Sequence, residues 1–558
     1  MFIPLRRRHK MKERNSTITQ LSTDISLQND DEIEPLHPLM IGDNDDEEFV
    51  DNATLIEQED SILPIWLYEF LYPPKVPREC QMFRMENIAV PACYLLVGIL
   101  QGLQGPFINV YPLFLNATPA QQVTLSSIKS LPASFKILFG FLSDNLPLMG
   151  YRRKSYMFVG WLIAGASMFT LLWCSDLNSE TIYNEEGEEI IPENAPSITF
   201  LSFTVLMFGT GFWFADVMGD SIVAEKAKLE IQKGQIQSMC YACRFFGLMT
   251  AAPFSTYLYH SHGASSIVQL MAFLPLIILP TLWYLSEIRN APVSSTREQC
   301  NEIWNTVCSR AVWQPMGFVY LYNILQVSNG AWKNFQIEVL GLTFTQLNLI
   351  MNVAFVLLYF GVMAYKYYFI KWSWRTIYIG ATVLNGFFSA CQILLIYGIT
   401  FGLSNFWFSL GDDALAEFVS GIQFLPTTIM MVHLCPAGSE GASYAMFTTV
   451  NNSAMNLSAA ISTRLLPIWD ITLETLRKGE KSGILKLTLL TTALQMSGVL
   501  FVRLLPRTKE DLVTLGSESS RSTRGGTIFL LVTFGSILYA LVISTLNIVA
   551  PGWGGGED

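Results

Sequence analysis

Charged side chains are scarce in this chain of 558 residues, since Asp, Glu, Lys and Arg make up 15% of it, against about 25% in an average soluble domain. The sequence also lacks a Walker A loop, a zinc-ligand constellation and a convincing Ser/His/Asp set. These absences argue against an ATP-driven pump, a zinc protein and a hydrolase. We therefore predict no enzyme activity, no cofactor, no metal site and no nucleic-acid partner.

The acidic balance of the chain belongs to its amino-terminal tail. Residues 1–60 contain fifteen acidic and six basic residues, a net charge of −9, which leaves −2 of the total −11 for all other residues. Low apolar content predicts that 1–62 is a disordered acidic tail with a basic start. The apolar stretch "DSILPIWLYEFLYPP" (60–74) is too short to cross a membrane, and the segment 63–87 is predicted to lie at the membrane surface.

Hydrophobic residues make up 51% of the chain, and they are gathered in runs of about 20 residues, the length that crosses a bilayer core. The chain is therefore predicted to be an all-α polytopic membrane protein. Twelve runs fall at 88–114, 120–144, 154–175, 198–223, 235–259, 265–286, 312–332, 345–368, 375–398, 413–435, 439–468 and 484–505, and a thirteenth at 527–549.

The runs divide into two bundles of six. The first bundle covers 88–287 and the second 312–506, with a polar central loop at 288–311 and a linker at 507–526 before the thirteenth run. Short loops after even-numbered runs carry most of the Lys and Arg, which favours a cytosolic amino terminus. Two six-helix halves with a basic loop between spans two and three are typical of a major-facilitator-type transporter, whose halves rock about a midplane site.

Charged residues at membrane depth mark a candidate site, because burying charge in hydrocarbon is costly. From the helical rise, Lys136 and Asp216 lie about 12 Å and Arg244 about 14 Å from the inner ends of their spans. Lys129 and Asp220 lie near the faces of Lys136 and Asp216. Two alternatives remain open: the charges neutralise one another within the bundle, or they line a cavity and meet the substrate.

The second half is polar rather than charged at this depth. We expect Asn323, Gln326, Gln423 and Asn451 to contribute to substrate binding, with interhelical hydrogen bonding as the alternative. The carboxylates of Asp412, Asp413 and Glu417, near the outer end of span ten, are expected to be solvated.

Four separated blocks resemble the folate–biopterin transporter family, a branch of the major facilitators. They are "SLPASFKILFGFLSDNLPLMGYRRKSY" (131–156), "ADVMGDSIVAEKAK" (215–228), "GQIQSMCYACRFFG" (234–247) and "FLPTTIMMVHLCPAGSEGASYAMFTTVNNSA" (424–454). The resemblance implies a secondary transporter, moving folate, biopterin or a related pterin-bearing anion by alternating access, with proton coupling. We expect it to act as a monomer in a plasma or organelle membrane.

The resemblance also implies roles for single residues. A carboxylate such as Asp216 or Asp220 would accept hydrogen bonds from a pterin ring, and Lys129, Lys136 or Arg244 would meet the carboxylates of folate. At the loop between spans two and three, Asp144 would face the start of span eleven around Glu440, and we predict that Asp144, Arg152, Arg153 and Glu440 control gating. The alternatives are transport of another charged metabolite and a non-transporting membrane sensor or scaffold.

Overall fold

The computed structural model describes residues 64–549 except for 74–75, 110, 116–124, 126–127, 178–181, 184–188, 191–193, 228, 230–233, 291–294, 330, 436–439, 466–467, 470, 472 and 518–520. The predicted tail at 1–62 lies outside these residues. In the described part, helices account for nearly all regular structure. Two short antiparallel strands, β1 (Ile182–Tyr183) and β2 (Glu189–Ile190), lie in the loop that follows the third predicted span.

The described residues of the amino-terminal half form eight helices. They are α1 (Ile65–Leu71), α2 (Ala89–Asn109), α3 (Tyr111–Phe114), α4 (Lys136–Asn145), α5 (Lys154–Cys174), α6 (Ile198–Ala227), α7 (Gln235–Ile277) and α8 (Leu279–Tyr284). A 3-10 segment, Leu131–Phe135, leads directly into α4. Helix α7 contains a break at Gly263, whose φ of 74° lies in the left-handed region that favours glycine. The predicted fifth and sixth spans thus lie on the two sides of this break.

The remaining helices follow in order from the central loop to residue 549. They are α9 (Thr296–Cys308), α10 (Arg310–Leu325), α11 (Trp332–Glu338), α12 (Phe344–Ala364), α13 (Trp374–Ile396), α14 (Asn405–Leu434), α15 (Glu440–Leu465), α16 (Leu473–Arg477), α17 (Ser482–Ser497), α18 (Lys509–Ser517) and α19 (Thr523–Val549). A π-helical turn, Tyr365–Phe369, extends α12, and a 3-10 segment, Gly498–Leu504, extends α17. The central loop therefore contains a helix, α9, which begins with a capping box at Ser295.

Eight stretches of the described residues are long and apolar enough to cross a membrane. They are Ala89–Ile108, Lys154–Cys174, Ile198–Ala227, Gln235–Tyr284, Gln346–Phe369, Trp374–Ile396, Asn405–Leu434 and Ser482–Leu504. One of them, Gln235–Tyr284, has 50 residues and contains two of the predicted spans. The count of thirteen spans stays a prediction.

The two halves pack against each other chiefly along three pairs of helices. Helix α15 of the second half packs on α4 and α6, and α7 of the first half packs on α12. Within each half, the principal pairs are α2 with α7, α5 with α6, and α12 with α14. Helices α4, α6 and α15 therefore meet along the seam between the halves, and this seam carries the charged residues that the sequence singles out.

Candidate functional site

Four charged side chains from three helices meet inside the amino-terminal half. The Lys136 Nζ lies 2.6 Å from Asp216 Oδ2 and 3.5 Å from Asp220 Oδ2. The Arg244 Nη1 lies 3.1 Å from Asp216 Oδ1. The most exposed of the four, Arg244, is only 9% accessible. We term this group the ion-pair cluster; its two cations and two carboxylates balance one another.

Local structure brings these groups together. Asp216 and Asp220 are four residues apart on α6, so both carboxylates lie on one helix face. Lys136 is the first residue of α4, directly after the 3-10 segment that contains Pro132. The lysine side chain can therefore reach both carboxylates of the neighbouring helix.

Neutral side chains complete the hydrogen bonding of the cluster. The Tyr94 hydroxyl donates to Asp220 Oδ1 at 2.6 Å, and Arg244 Nε donates to Gln101 Oε1 at 3.3 Å. The Lys136 Nζ lies 4.7 Å from the centre of the Trp213 ring, within the range of a cation–π contact. Tyr94 and Gln101 are not among the residues predicted from the sequence; their spacing of seven residues, two turns of α2, is the signal that points to them.

A cavity of about 240 Å³ lies beside the cluster. Its walls are Gln101, Gln104, Lys129, Ser130, Phe208, Gly209, Phe212, Trp213 and Leu248. The Trp213 indole N–H donates to the Lys129 carbonyl at 2.9 Å, which holds the ring between the cavity and Lys136. Of the predicted binding residues, Lys129 therefore lines this cavity, whereas the four cluster residues lie behind its wall.

The predicted binding residues of the second half form a separate group. The Asn323 Nδ2 donates to Asn451 Oδ1 at 2.8 Å, which links α10 to α15. The Gln326 amide approaches the Tyr322 carbonyl at 3.5 Å, and Gln423 contacts the Tyr322 side chain. The Asn323–Asn451 and Gln423–Tyr322 contacts join different helices, whereas the Gln326 contact joins residues four apart at the end of α10. A role of these residues in substrate binding stays a prediction.

Tyrosine hydroxyls bridge the two halves next to the cluster. The Tyr444 hydroxyl on α15 lies 3.4 Å from the Tyr241 hydroxyl on α7 and accepts a hydrogen bond from Gln237 Nε2 at 3.0 Å. The Tyr241 ring also packs edge-on against Tyr94. Asp220 is therefore connected to the second half through a hydrogen bond to Tyr94, the ring contact of Tyr94 with Tyr241, and the approach of the Tyr241 and Tyr444 hydroxyls.

A second charged group surrounds Asp144, at the end of the bundle that we term the Arg153 end. The Asp144 carboxylate lies 2.5 Å from Arg153 Nη2 and 3.1 Å from Arg152 Nη2. Its other oxygen, Oδ2, accepts a hydrogen bond from the backbone N–H of Ala442 at 2.7 Å. Asp144 is thus placed against the first turn of α15, where the positive end of the helix dipole favours an anion.

Two glutamates that the sequence analysis did not include hold this end in place. Glu225 at the end of α6 lies 2.9 Å from Arg153 Nη2. The Glu287 carboxylate accepts hydrogen bonds from the backbone N–H groups of residues 152–154, at 2.7 to 2.8 Å. These three N–H groups lead into α5, so Glu287 serves as a carboxylate cap on that helix.

The halves approach closely at a pair of glycines at the Arg153 end. A Cβ atom added to Gly140 on α4 would come within 2.5 Å of the Gly441 carbonyl oxygen. A Cβ atom on Gly441 would come within 2.7 Å of Arg153 Nη1. Glu440, the fourth predicted gating residue, is buried beside this contact at the start of α15. The backbones of α4 and α15 are therefore in direct contact here.

One expectation about the second half is wrong. Asp412 was expected to be a solvated carboxylate, but it is only 5% accessible. Asp413 and Glu417 are partly exposed, and Asp413 accepts a hydrogen bond from Gln336 Nε2 at 2.9 Å. The sequence places all three near the end of a span, but only packing shows that Asp412 points into the helix bundle.

The two packed helical halves have the class of fold seen in a solved membrane transporter of the major facilitator superfamily. The proton:xylose symporter XylE, solved with bound 6-bromo-6-deoxy-D-glucose, aligns with a TM-score of 0.56 over 77% of this chain and 98% of XylE, at 13% identity. A bacterial homologue of the iron transporter ferroportin aligns with a TM-score of 0.50 over 75% of this chain and 98% of its own, at 11% identity. These likenesses establish the fold, and the predicted fold class is confirmed.

Within that class, the chain belongs to the BT1 family, whose model matches residues 110–519. It is 26% identical to the folate-biopterin transporter of Synechocystis sp., over 69% of this chain and 75% of that protein. It is 23% identical to folate transporter 1 of Plasmodium falciparum, over 68% of this chain and 72% of that protein. The family resemblance seen in the sequence is confirmed, and the chain is a transporter rather than an enzyme.

Proposed function

We propose that this chain is a secondary active transporter of folate, biopterin or a related pterin-bearing anion, and that it works by alternating access coupled to protons. The observation that carries the proposal is the buried ion-pair cluster on the seam, beside a cavity, in a chain whose relatives are named folate and biopterin transporters.

The chemistry of the cluster suits this class of solute. A pterin ring presents adjacent N–H donors on one edge, which a carboxylate such as Asp216 or Asp220 accepts in bidentate fashion. Lys129, Lys136 and Arg244 offer cations for the carboxylates of a folate side chain. The Trp213 ring provides an aromatic surface on which a flat heterocycle stacks.

Substrate binding would exchange partners within the cluster. The cavity of about 240 Å³ is smaller than the roughly 300–1,000 Å³ typical of ligand sites. A pterin-bearing anion therefore needs Trp213 to swing away from Lys136, which opens the cavity onto the ion pairs. Breaking Lys136–Asp216 in favour of contacts with the substrate would couple binding to movement of α4 against α6.

The contacts at the Arg153 end support an alternating mechanism. Asp144, Arg153 and the glycine pair close this end of the seam, whereas the cavity lies between the cluster and the opposite end. Separation of α4 from α15 would release Asp144 from the Ala442 N–H and open the Arg153 end. We propose that Asp144, Arg152, Arg153 and Glu440 act in this gating step.

The proposal is tested by uptake of labelled folate and labelled biopterin into liposomes that contain the purified protein. We expect saturable uptake. With a pH gradient across the membrane, uptake should be faster and should reach a higher internal concentration than without one. Absence of saturable uptake of both compounds would refute the substrate class. Saturable uptake that is the same with and without a pH gradient would refute proton coupling but not the substrate class.

Competition by unlabelled compounds for uptake of labelled folate distinguishes a pterin transporter from a transporter of another charged metabolite. Unlabelled pterins and folates should displace labelled folate, whereas unrelated dicarboxylates of similar charge should not. If the dicarboxylates compete equally well, recognition rests on the cations and not on the ring, and the pterin assignment fails.

A further inference from the structure

Asp412 on α14 is a buried acid that the ion-pair cluster does not use. It lies seven residues after the start of the helix, about 10 Å along the axis. Its side chain is packed within the second half, and both carboxylate oxygens are shielded from solvent. Within the described chain, neither oxygen accepts a hydrogen bond of acceptable geometry.

The neighbours of Asp412 supply no positive charge. Asp413 on the same helix and Cys391 on α13 are the titratable groups close enough to influence it, and Gln392 on α13 is its polar neighbour. Among the ion pairs formed by described residues, none includes Asp412, Asp413 or Glu417.

The other elements around α14 direct their titratable groups elsewhere. Tyr359 on α12 packs against Phe246, and Lys366 of the π-helical turn lies over the Phe70 ring. On α11, Lys333 is exposed and Glu338 pairs with Arg477. Helix α15 places its Glu440 at the far, Arg153 end. Asp412 is therefore surrounded by acids, a thiol and neutral groups.

A carboxylate in such surroundings is costly as an anion, since it has lost its hydration without gaining a cation, and the Gln392 amide is the polar group beside it among the described residues. It can be neutralised by a proton or by a metal cation. A metal ion needs several oxygen ligands around it, and among the residues that the structure describes no three acidic, Cys or His side chains are grouped to hold one. The proton is the occupant that the geometry favours.

The partly exposed acids on the same helix provide a route for that proton. Asp413 and Glu417 are four residues apart, so they share one face of α14 and lie adjacent to Asp412 along the helix. Asp413 is held by Gln336, which fixes its position near the end of the helix. Asp413 and Glu417 lie one and five residues farther along α14 than Asp412, and these partly exposed carboxylates are the groups through which a proton can reach or leave it.

We propose that Asp412 is a proton-binding site in the carboxy-terminal half, and that it carries the proton whose movement drives uptake. The first part stands on the burial of Asp412, and the second part rests on the proposed transport function. The site is distinct from the ion-pair cluster, which lies in the other half and is built of paired charges.

Proton binding can be measured without any substrate. Infrared difference spectra of the purified protein, recorded across a pH titration, should show the C=O stretch of a protonated carboxylic acid near neutral pH. We expect Asp412→Asn to lose this band and Ser409→Ala to keep it. Ser409 is a matched control because it is buried one turn away on the same helix. A band that is unchanged in Asp412→Asn would overturn the proton site.

Two transport measurements on Asp412→Asn distinguish a role in proton coupling from a role in substrate binding. In liposomes, Asp412→Asn should exchange internal unlabelled folate for external labelled folate within about twofold of the unmodified protein, because asparagine mimics the neutral acid. Accumulation driven by a pH gradient should fall at least tenfold. Accumulation at the normal level, or accumulation driven by sodium instead, would overturn the coupling role. If the unmodified protein fails to exchange folate or biopterin, the proposed substrate fails, whereas the infrared result still decides the proton site.

Discussion

Lys136 links α4 to α6 by charge inside the amino-terminal half, because its ammonium group reaches two carboxylates of α6. Removing it leaves two buried carboxylates with Arg244 as their one remaining cation in the cluster. Loss of one partner of a buried ion pair costs about 3–5 kcal/mol. The side chains that we propose to bind the substrate therefore also stabilise the folded protein.

We expect Lys136→Ala and Asp216→Ala to abolish folate or biopterin uptake while the protein remains in the membrane. The exposed pair formed by Arg477 and Glu338 offers the control, and Arg477→Ala should transport normally. Uptake by vesicles, normalised to the protein found in the membrane, checks this prediction. Normal transport by both cluster variants would make the cluster purely structural.

The Tyr94 hydroxyl provides a finer test of the same site. Tyr94→Phe removes the hydrogen bond to Asp220 but keeps the ring that packs on Tyr241. A hydrogen bond to a charged group is worth about 1.5–3 kcal/mol, so we expect uptake to fall roughly tenfold or more at low substrate concentration. Phe107→Leu, a buried change in the same helix without a polar group, should have a smaller effect.

At the scale of helices, the contact between Gly140 and Gly441 limits how closely α4 and α15 approach. A valine at either position has no room in the present arrangement. We expect Gly140→Val to favour the conformation in which the Arg153 end is open. Labelling of a cysteine placed at Ser443 by a water-soluble maleimide should then be faster in the Gly140→Val background than in the native one. Equal labelling rates would show that the glycine pair does not limit closure.

Asp144→Asn tests the neighbouring electrostatic contact on its own. The substitution keeps the size of the side chain but weakens the interaction with Arg153 and with the Ala442 N–H. We expect faster labelling at Ser443 and reduced uptake, with Asp511→Asn, a partly exposed position on α18 outside these contacts, as the control. Transport that is unchanged would favour a purely topogenic role for the loop that follows α4.

For the whole molecule, the acidic tail is predicted to be an accessory to transport. Deletion of residues 1–60 removes a net charge of −9 but leaves every residue of the ion-pair cluster and of the Arg153 end. We expect uptake per molecule to stay within about twofold of the full chain. Loss of transport with normal membrane insertion would give the tail a role in the transport cycle.

The sequence predicted the fold better than it predicted the site. Runs of apolar residues report directly on membrane spans, and isolated charges such as Lys136 and Asp216 are conspicuous within them. The partner of each charge depends on how helices pack, so Tyr94 and Glu287 were not found. The solvated state expected for Asp412 was wrong because helical spacing alone does not reveal which face of α14 is buried.

The balance of charge within the ion-pair cluster has a consequence for membrane voltage. Its two cations and two carboxylates sum to zero, so the empty cluster contributes no net charge when the halves rearrange. A folate dianion that travels with a single proton would carry one net negative charge across the bilayer. An inside-negative potential should then oppose uptake, by about 2.3 kcal/mol per 100 mV for each charge moved. The electrical response of the transporter would thus report how many protons accompany each substrate.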